Sequence, residues 1–484
     1  LHDYIDTGGR WGDLAHASDP EAKYYIFLWN CLWRAGASLL HGHAQVIMGR
    51  GMHYAAVESL RRNAAVYQAH HRANYFNERA IRLYNKALAC SSDEPGIPEF
   101  ATRIHLWHDL GSIFELIGDF EAALGAFERM LRLSWVVASK TKAAVAFNKM
   151  GRVWRRKGDL KLALEYLQRG QELFEQAADS RGIAGSLDDI GKLLHLLGRY
   201  DEAFEKVTEA LARRGKGGDR RSIASSLSNL GVIQQDRGRF LEAYNCHKEA
   251  LELRRLAGDR WGVIVSRNNL AVLANDLGDY GEARAGWTEA LQESEEIGAM
   301  PLAALALSNL GELALNEGKS EEARSRLEDA LEIADDIDDR ELQAETNRLL
   351  AKLENGAGNT ERARALAHTA LEIATASGLR QREGVALVTL GEIFSGSLFD
   401  AEQTDEISDK APAAEHYFRR GLDLLRQIGN EAELGRGLEQ YGRYKVELGE
   451  LGEGRDILRQ ALLVYAKLGM KRGEDVEKVL ASMN

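Results

Sequence analysis

The stretch "NNLAVLANDLGDYGEARAGWTEALQESEEIG", Asn268 to Gly298, decides the fold, because "SNLGVIQQDRGRFLEAYNCHKEALELRRLAG", Ser228 to Gly258, says nearly the same thing forty positions earlier. Working outward from Gly278, a glycine returns at the same step at Gly118, Gly158, Gly198, Gly238, Gly318 and Gly358. Seven residues before it stands a second small residue, as at Gly111, Gly151, Gly191, Gly231, Ala271, Gly311 and Ala351. Five residues after it stands an alanine, from Ala123 to Ala363. This register predicts two amphipathic helices per unit. The small residue lets a neighbouring helix approach, and the following glycine supplies the left-handed residue that ends the first helix. Acids such as Glu202, Glu242 and Glu282 then suit the first turn of the second helix. One such pair cannot bury its own apolar face, so the copies must stack.

Motifs such as "LGDYGEARAGW" and "LGRYDEAFEKV" resemble the tetratricopeptide repeat, in the longer variety of about forty residues seen in kinesin light chains and in spindle-orientation adaptors of the Pins type. The resemblance implies an all-α fold, a right-handed superhelical solenoid of antiparallel helix pairs. It places an array of about ten pairs over residues 60–470, with an acidic loop insertion near 396–410 where the spacing slips from Ala363 to Ala414. Residues 471–484, "KRGEDVEKVLASMN", read as a polar capping helix. Residues 1–59 read as an aromatic-rich helical region outside the register. A looser resemblance over residues 55–135 is to helical regions that follow ATPase or kinase modules in large bacterial signalling proteins. It implies a regulatory or sensor arm of a longer chain that begins here at Leu1.

Composition narrows the function classes. The 484 residues carry a net charge of −12, which disfavours a phosphate-backbone binder, since such affinity comes mainly from Lys and Arg. Five prolines against forty-seven glycines suit long helices joined by short turns. Cys31, Cys90 and Cys246 are far apart, so neither a disulfide framework nor a zinc site is expected and the cytoplasm fits. The richest apolar run, Tyr24 to Trp33, ends at Arg34 and is too short to cross a membrane.

No catalytic constellation stands out, and no enzyme activity, metal or cofactor is expected. "GKGGDRRS", Gly215 to Ser222, lacks the phosphate-loop pattern. The histidines crowded between His41 and His108 have no companion carboxylate or cysteine spacing. The informative column lies two residues before the small residue: Asp109, Lys149, Asp189, Asn229, Asn269, Asn309, Leu349, Thr389 and Gln440. The tetratricopeptide resemblance implies that this column faces a concave groove where asparagines grip the backbone of an extended peptide. An amide offers one donor side and one acceptor, which matches one peptide unit. The competing reading has these amides bonded to neighbouring helices. Asn148, Lys149, Arg152 and Arg155 in one unit, followed by Asp189 and Lys192 in the next, add charge that could meet an acidic ligand. The expected function is therefore a protein-interaction scaffold whose groove binds a peptide or partner-protein segment. A self-assembling scaffold is the further alternative.

Overall fold

In the computed structural model, the described residues are 22–29, 44–50, 75–89, 97–215, 219–399 and 404–483. They divide into two compact units, residues 1–114 with 122–143 and residues 115–121 with 144–484. The elements begin with strands β1 (Ala22–Trp29) and β2 (Ala44–Arg50). Helices α1 (Tyr75–Ala89), α2 (Ile97–Ile117), α3 (Phe120–Val136), α4 (Lys140–Arg156), α5 (Leu160–Gln176), α6 (Ser180–Leu196) and α7 (Tyr200–Arg214) follow. The regular part continues as α8 (Arg220–Asp236), α9 (Phe240–Leu256), α10 (Arg260–Leu277), α11 (Tyr280–Ile297), α12 (Met300–Asn316), α13 (Ser320–Asp336), α14 (Arg340–Gly356) and α15 (Thr360–Ala376). The last five are α16 (Arg380–Phe399), α17 (Thr404–Ile428), α18 (Glu431–Glu447), α19 (Leu451–Leu468) and α20 (Gly473–Ser482). From α2 onward the even-numbered helices up to α18 are the first of each pair.

In the first unit, β1 and β2 pair antiparallel with Ile26 opposite Ile47 and Phe27 opposite Val46. This corrects the helical expectation for the described part of residues 1–59. "AKYYIFLW" and "AQVIMGR" are rich in the aromatic and β-branched residues that fit a pleated strand. The rest of residues 1–59 lies outside the described residues. In the helical part of this unit, Ile104, Leu110, Phe127 and Met130 are buried. Gly111 shows why its column is small, since a Cβ there would stand 2.5 Å from the Phe127 ring.

The second unit repeats that contact. A Cβ at Gly151 would meet Leu167 at 2.8 Å, and one at Gly191 would meet Val207 at 2.5 Å. The turn glycine is left-handed as its role requires, with φ +82° at both Gly158 and Gly278. Several of the turns between pairs are secured by an acidic cap, as where Asp179 accepts from the backbone of Arg181 and Gly182 and Asp259 from Gly262, whereas Ala299 makes no such bond. The acidic loop expected near 396–410 also needs correction, because helix α16 runs to Phe399 and α17 already begins at Thr404. The residues from Thr404 to Ala411 contain neither glycine nor proline, so nothing breaks the helix before Pro412.

One packing position departs from the apolar pattern. His247 occupies the place of Phe127, Leu167 and Val207, fully buried against Gly231, and neither ring nitrogen has a partner. Burial, with Arg254 adding to it, pushes the imidazole down to about 3. The folded state therefore resists a proton that the unfolded chain accepts near 6.5, so stability is full above that value and declines as pH falls toward 3. His247→Phe, which copies the Phe127 arrangement, is expected to gain about 2–3 kcal/mol over the wild type between pH 7.5 and pH 4.5. Urea unfolding of both proteins at the two pH values measures the gap, and a gap that stays constant removes this account of His247.

Candidate functional site

Successive turns of the second unit touch. Asn430 donates to the Tyr200 hydroxyl at 3.1 Å across 230 positions of sequence. Gly198 lies against Ile428 and Gly238 against Leu468, each so closely that a Cβ would fall within 2.5 Å of the partner. Arg156 donates to Asp339 at 2.6 Å and Lys157 to Asp338 at 3.0 Å, while Arg436 reaches Asp276, which also accepts from Gln235 at 2.6 Å. Thus the turns of one helix pair rest on elements between four and six repeats further on. The inner face becomes a channel bounded by the next turn, with a cavity of about 410 Å³, within the range of small-ligand pockets.

First helices from consecutive repeats build the wall, because their small-residue face packs outward on the second helices and leaves the opposite face inward. Five of the nine sequence-derived residues line the cavity: Arg155, Lys192, Asn229, Asn269 and Asn309. Asn269 donates through Nδ2 to Ser228 at 3.2 Å, and Asn309 through Nδ2 to the Asn268 carbonyl oxygen at 2.9 Å. These two amides are tied back to the preceding repeat by their nitrogens. Asn229 has no hydrogen bond among the described residues.

The other four are not part of the cavity wall. Asn148 is buried, donates to Ser186 at 2.8 Å, and lies over Gly170 in a helix seam. Lys149 donates to Glu115 at 2.8 Å. Arg152 grips Asp189 through Nε, at 2.9 and 2.8 Å to the two carboxylate oxygens. The stripe Lys149, Arg152 and Arg155 is therefore divided, with its first two members neutralised by neighbouring repeats.

The opposite wall was not foreseen. Glu345 accepts from Arg348 at 2.6 Å and from Arg382 at 3.0 Å. Burial alone would raise the Glu345 carboxyl, but the two guanidinium groups override it and hold the acid below the usual carboxylate range. Glu433 pairs with Arg436 at 2.5 Å, while on the wall that carries Lys192 and Asn229 the His195 Nε2 lies 2.5 Å from Asp236. One signal was available: Glu312, Lys352 and Glu392 continue the column of Arg152 and Lys192 at multiples of forty. Among the described residues, no group of three or more His, Cys, Asp or Glu side chains could hold a metal ion. Gly215 is followed by residues outside the described set, and Asp219 serves as the cap of α8 by accepting from Ser222. No helix among the described residues is long and apolar enough to cross a membrane.

Stacked helix pairs around a polar inner wall define a helical-repeat protein of the interaction-scaffold class. Tetratricopeptide repeat models match residues 106–134, 142–216, 222–292 and 302–376. The chain belongs to the tetratricopeptide repeat family. It is similar in structure to a Rap protein complexed with competence and sporulation factor, with TM-score 0.55 and 16% identity over 77% of this chain and 98% of that one. It is also similar to the Rap conjugation gene regulator of plasmid pLS20 in complex with the Phr* peptide, with TM-score 0.50 and 13% identity over 73% and 96%. At such identities the likeness speaks to the fold. No curated protein matches the chain in sequence.

Proposed function

We propose that this chain is a non-catalytic cytoplasmic receptor whose channel takes in an extended peptide or a segment of a partner protein. The carrying observation is the row Asn229, Asn269 and Asn309 on the cavity wall. Asn229 has both amide functions unused, whereas the other two spend one N–H on the scaffold and keep a carbonyl oxygen for a ligand N–H. The Rap regulator solved in complex with the Phr* peptide supports the same use of this fold.

Affinity selection from a degenerate heptapeptide pool tests the reading. The wild type is expected to enrich a family of sequences that compete with one another. Asn229→Trp fills the channel without removing a bond, and is expected to weaken their binding by at least tenfold while circular dichroism stays unchanged. Equal capture by the variant would place binding elsewhere, and absence of any enrichment would overturn the proposal.

A further inference from the structure

A second register of polar residues runs inside the stack, behind the channel wall. Between α6, α7 and α8 the Asp188 carboxylate accepts from Ser226 Oγ, 2.9 Å from each oxygen, and from Arg214. Arg214 also donates to Ser226. One repeat later, between α8, α9 and α10, the same places belong to Ser228, Ser266 and Arg254. Most of the arrangement returns, since Arg254 Nη1 donates to Ser266 Oγ at 2.7 Å and to the Gly262 carbonyl oxygen at 2.9 Å. The acid does not return. Serine stands where aspartate stood, with its Oγ 3.4 Å from Nη1, and it lacks the carboxylate's bulk as well as its charge.

Arg254 is therefore a buried cation with no ion pair among the described residues, 7% exposed and with Nε unpartnered. Arg348, buried to a similar degree, has Glu345 at 2.6 Å. Asp259 favours the Arg254 charge from a distance but is engaged as the cap of α10, accepting from the Gly262 N–H. Asp219, the cap of α8, stands in the same relation to Arg214, which has Asp188 besides. Burial accordingly lowers the Arg254 guanidinium to about 10. A charge withdrawn from water in this way is costly until a counter-charge joins it. Ser228 lines the channel cavity, and so does Asn269, whose Nδ2 donates to the same Oγ at 3.2 Å. Guanidinium, amide and two hydroxyls thus converge from three helices on the place that a carboxylate holds one repeat earlier, and Ser228 connects that place to the channel.

We propose that Arg254, Ser228, Ser266 and Asn269 form a binding site for a small inorganic anion of the chloride class, which supplies to Arg254 the charge that Asp188 supplies to Arg214. Each of the four side chains has a hydrogen to donate to the ion. The guanidinium makes these charge-assisted bonds, which are strong away from bulk water. The ion then joins α8, α9 and α10 as Asp188 joins α6, α7 and α8, and the site is independent of any peptide in the channel.

Thermal unfolding of the full chain, prepared without chloride, tests the site in a chloride series whose ionic strength is held fixed with gluconate, an anion too bulky for the place of one carboxylate. Because the ion binds the folded state, the wild-type midpoint is expected to rise by about 2 °C for each tenfold increase in chloride once the site fills. Ser228→Asp returns the carboxylate covalently, and is expected to unfold above the wild type in gluconate and to ignore chloride. Arg254→Met removes the cation and is expected to ignore chloride as well, so either variant carries the comparison if the other fails to fold. Excess broadening of the chloride nuclear resonance by the wild type, lost in the folded variant, would show binding directly. Equal wild-type midpoints in chloride and gluconate would overturn the proposal. So would a chloride dependence that persists in Ser228→Asp or Arg254→Met, since it would then be a general salt effect.

Discussion

Glu439→Leu is expected to lower the unfolding free energy by about 3–5 kcal/mol, the usual loss when one partner of a buried charge pair is removed. Glu439 is buried on α18 and accepts from the Tyr465 hydroxyl at 2.8 Å, from Arg472 Nε at 2.6 Å and from Arg443 Nε at 3.1 Å. One carboxylate therefore joins α18 to α19 and to the residue that precedes α20. Leucine would fill the space and leave a phenol and two guanidinium groups without their acceptor. The damage should begin at the end of the stack, so amide exchange in α20 should accelerate before that of α18. Glu439→Gln keeps one acceptor oxygen and is expected to lose less. Burial alone would raise the Glu439 carboxyl, but Arg472 leads the charges that hold it below the usual carboxylate range. Its contribution is thus complete above the unfolded value near 4.5 and is lost as pH falls through the lower folded one. Urea unfolding of wild type and variant should show a gap at pH 7 that narrows in strong acid. A gap independent of pH would show that packing, not charge, governs the site.

What the sequence made legible is whatever the repeat writes locally. The small residue at Gly151 and the left-handed glycine at Gly158 are dictated by contacts within one helix pair, so they recur in every copy and announce the fold. Closure of the channel is different in kind. The bond from Asn430 to Tyr200 spans 230 positions and depends on small rotations summed over several repeats, which no column records. The division of the basic stripe lay between these cases. Lys149, Arg152 and Arg155 share one helix face, yet Glu115 and Asp189 reach the first two from adjoining repeats. Comparing columns across repeats, instead of reading one helix at a time, would have exposed the Arg152–Asp189 pair and its absence at Lys192. The strand Ala22–Trp29 was missed because a short apolar run has no period that separates strand from helix.

Asn229→Ala, Asn269→Ala and Asn309→Ala combined are expected to weaken a channel-selected peptide by about 2–4 kcal/mol, taking each lost amide contact at about 0.5–1.5 kcal/mol. That is a loss of thirtyfold to nearly a thousandfold in affinity. The single variants should divide unequally between folding and binding. Asn229 bonds to nothing among the described residues, so Asn229→Ala is expected to leave the unfolding free energy within about 0.5 kcal/mol of wild type and to affect binding alone. Asn269 and Asn309 each hold a partner in the preceding repeat, Ser228 at 3.2 Å and Asn268 at 2.9 Å. Their loss is therefore expected to cost about 0.5–1.5 kcal/mol of stability each, besides the ligand contact. Urea unfolding and peptide titration on the same four proteins measure both quantities. If Asn269→Ala and Asn309→Ala lose stability but keep full affinity, their amides serve the stack, and only Asn229 remains as a ligand contact. If all three lose affinity in proportion, the tie to the preceding repeat has a second consequence. It fixes the plane of each amide so that the carbonyl oxygen is already aimed into the channel, which spares the peptide the entropic cost of ordering it.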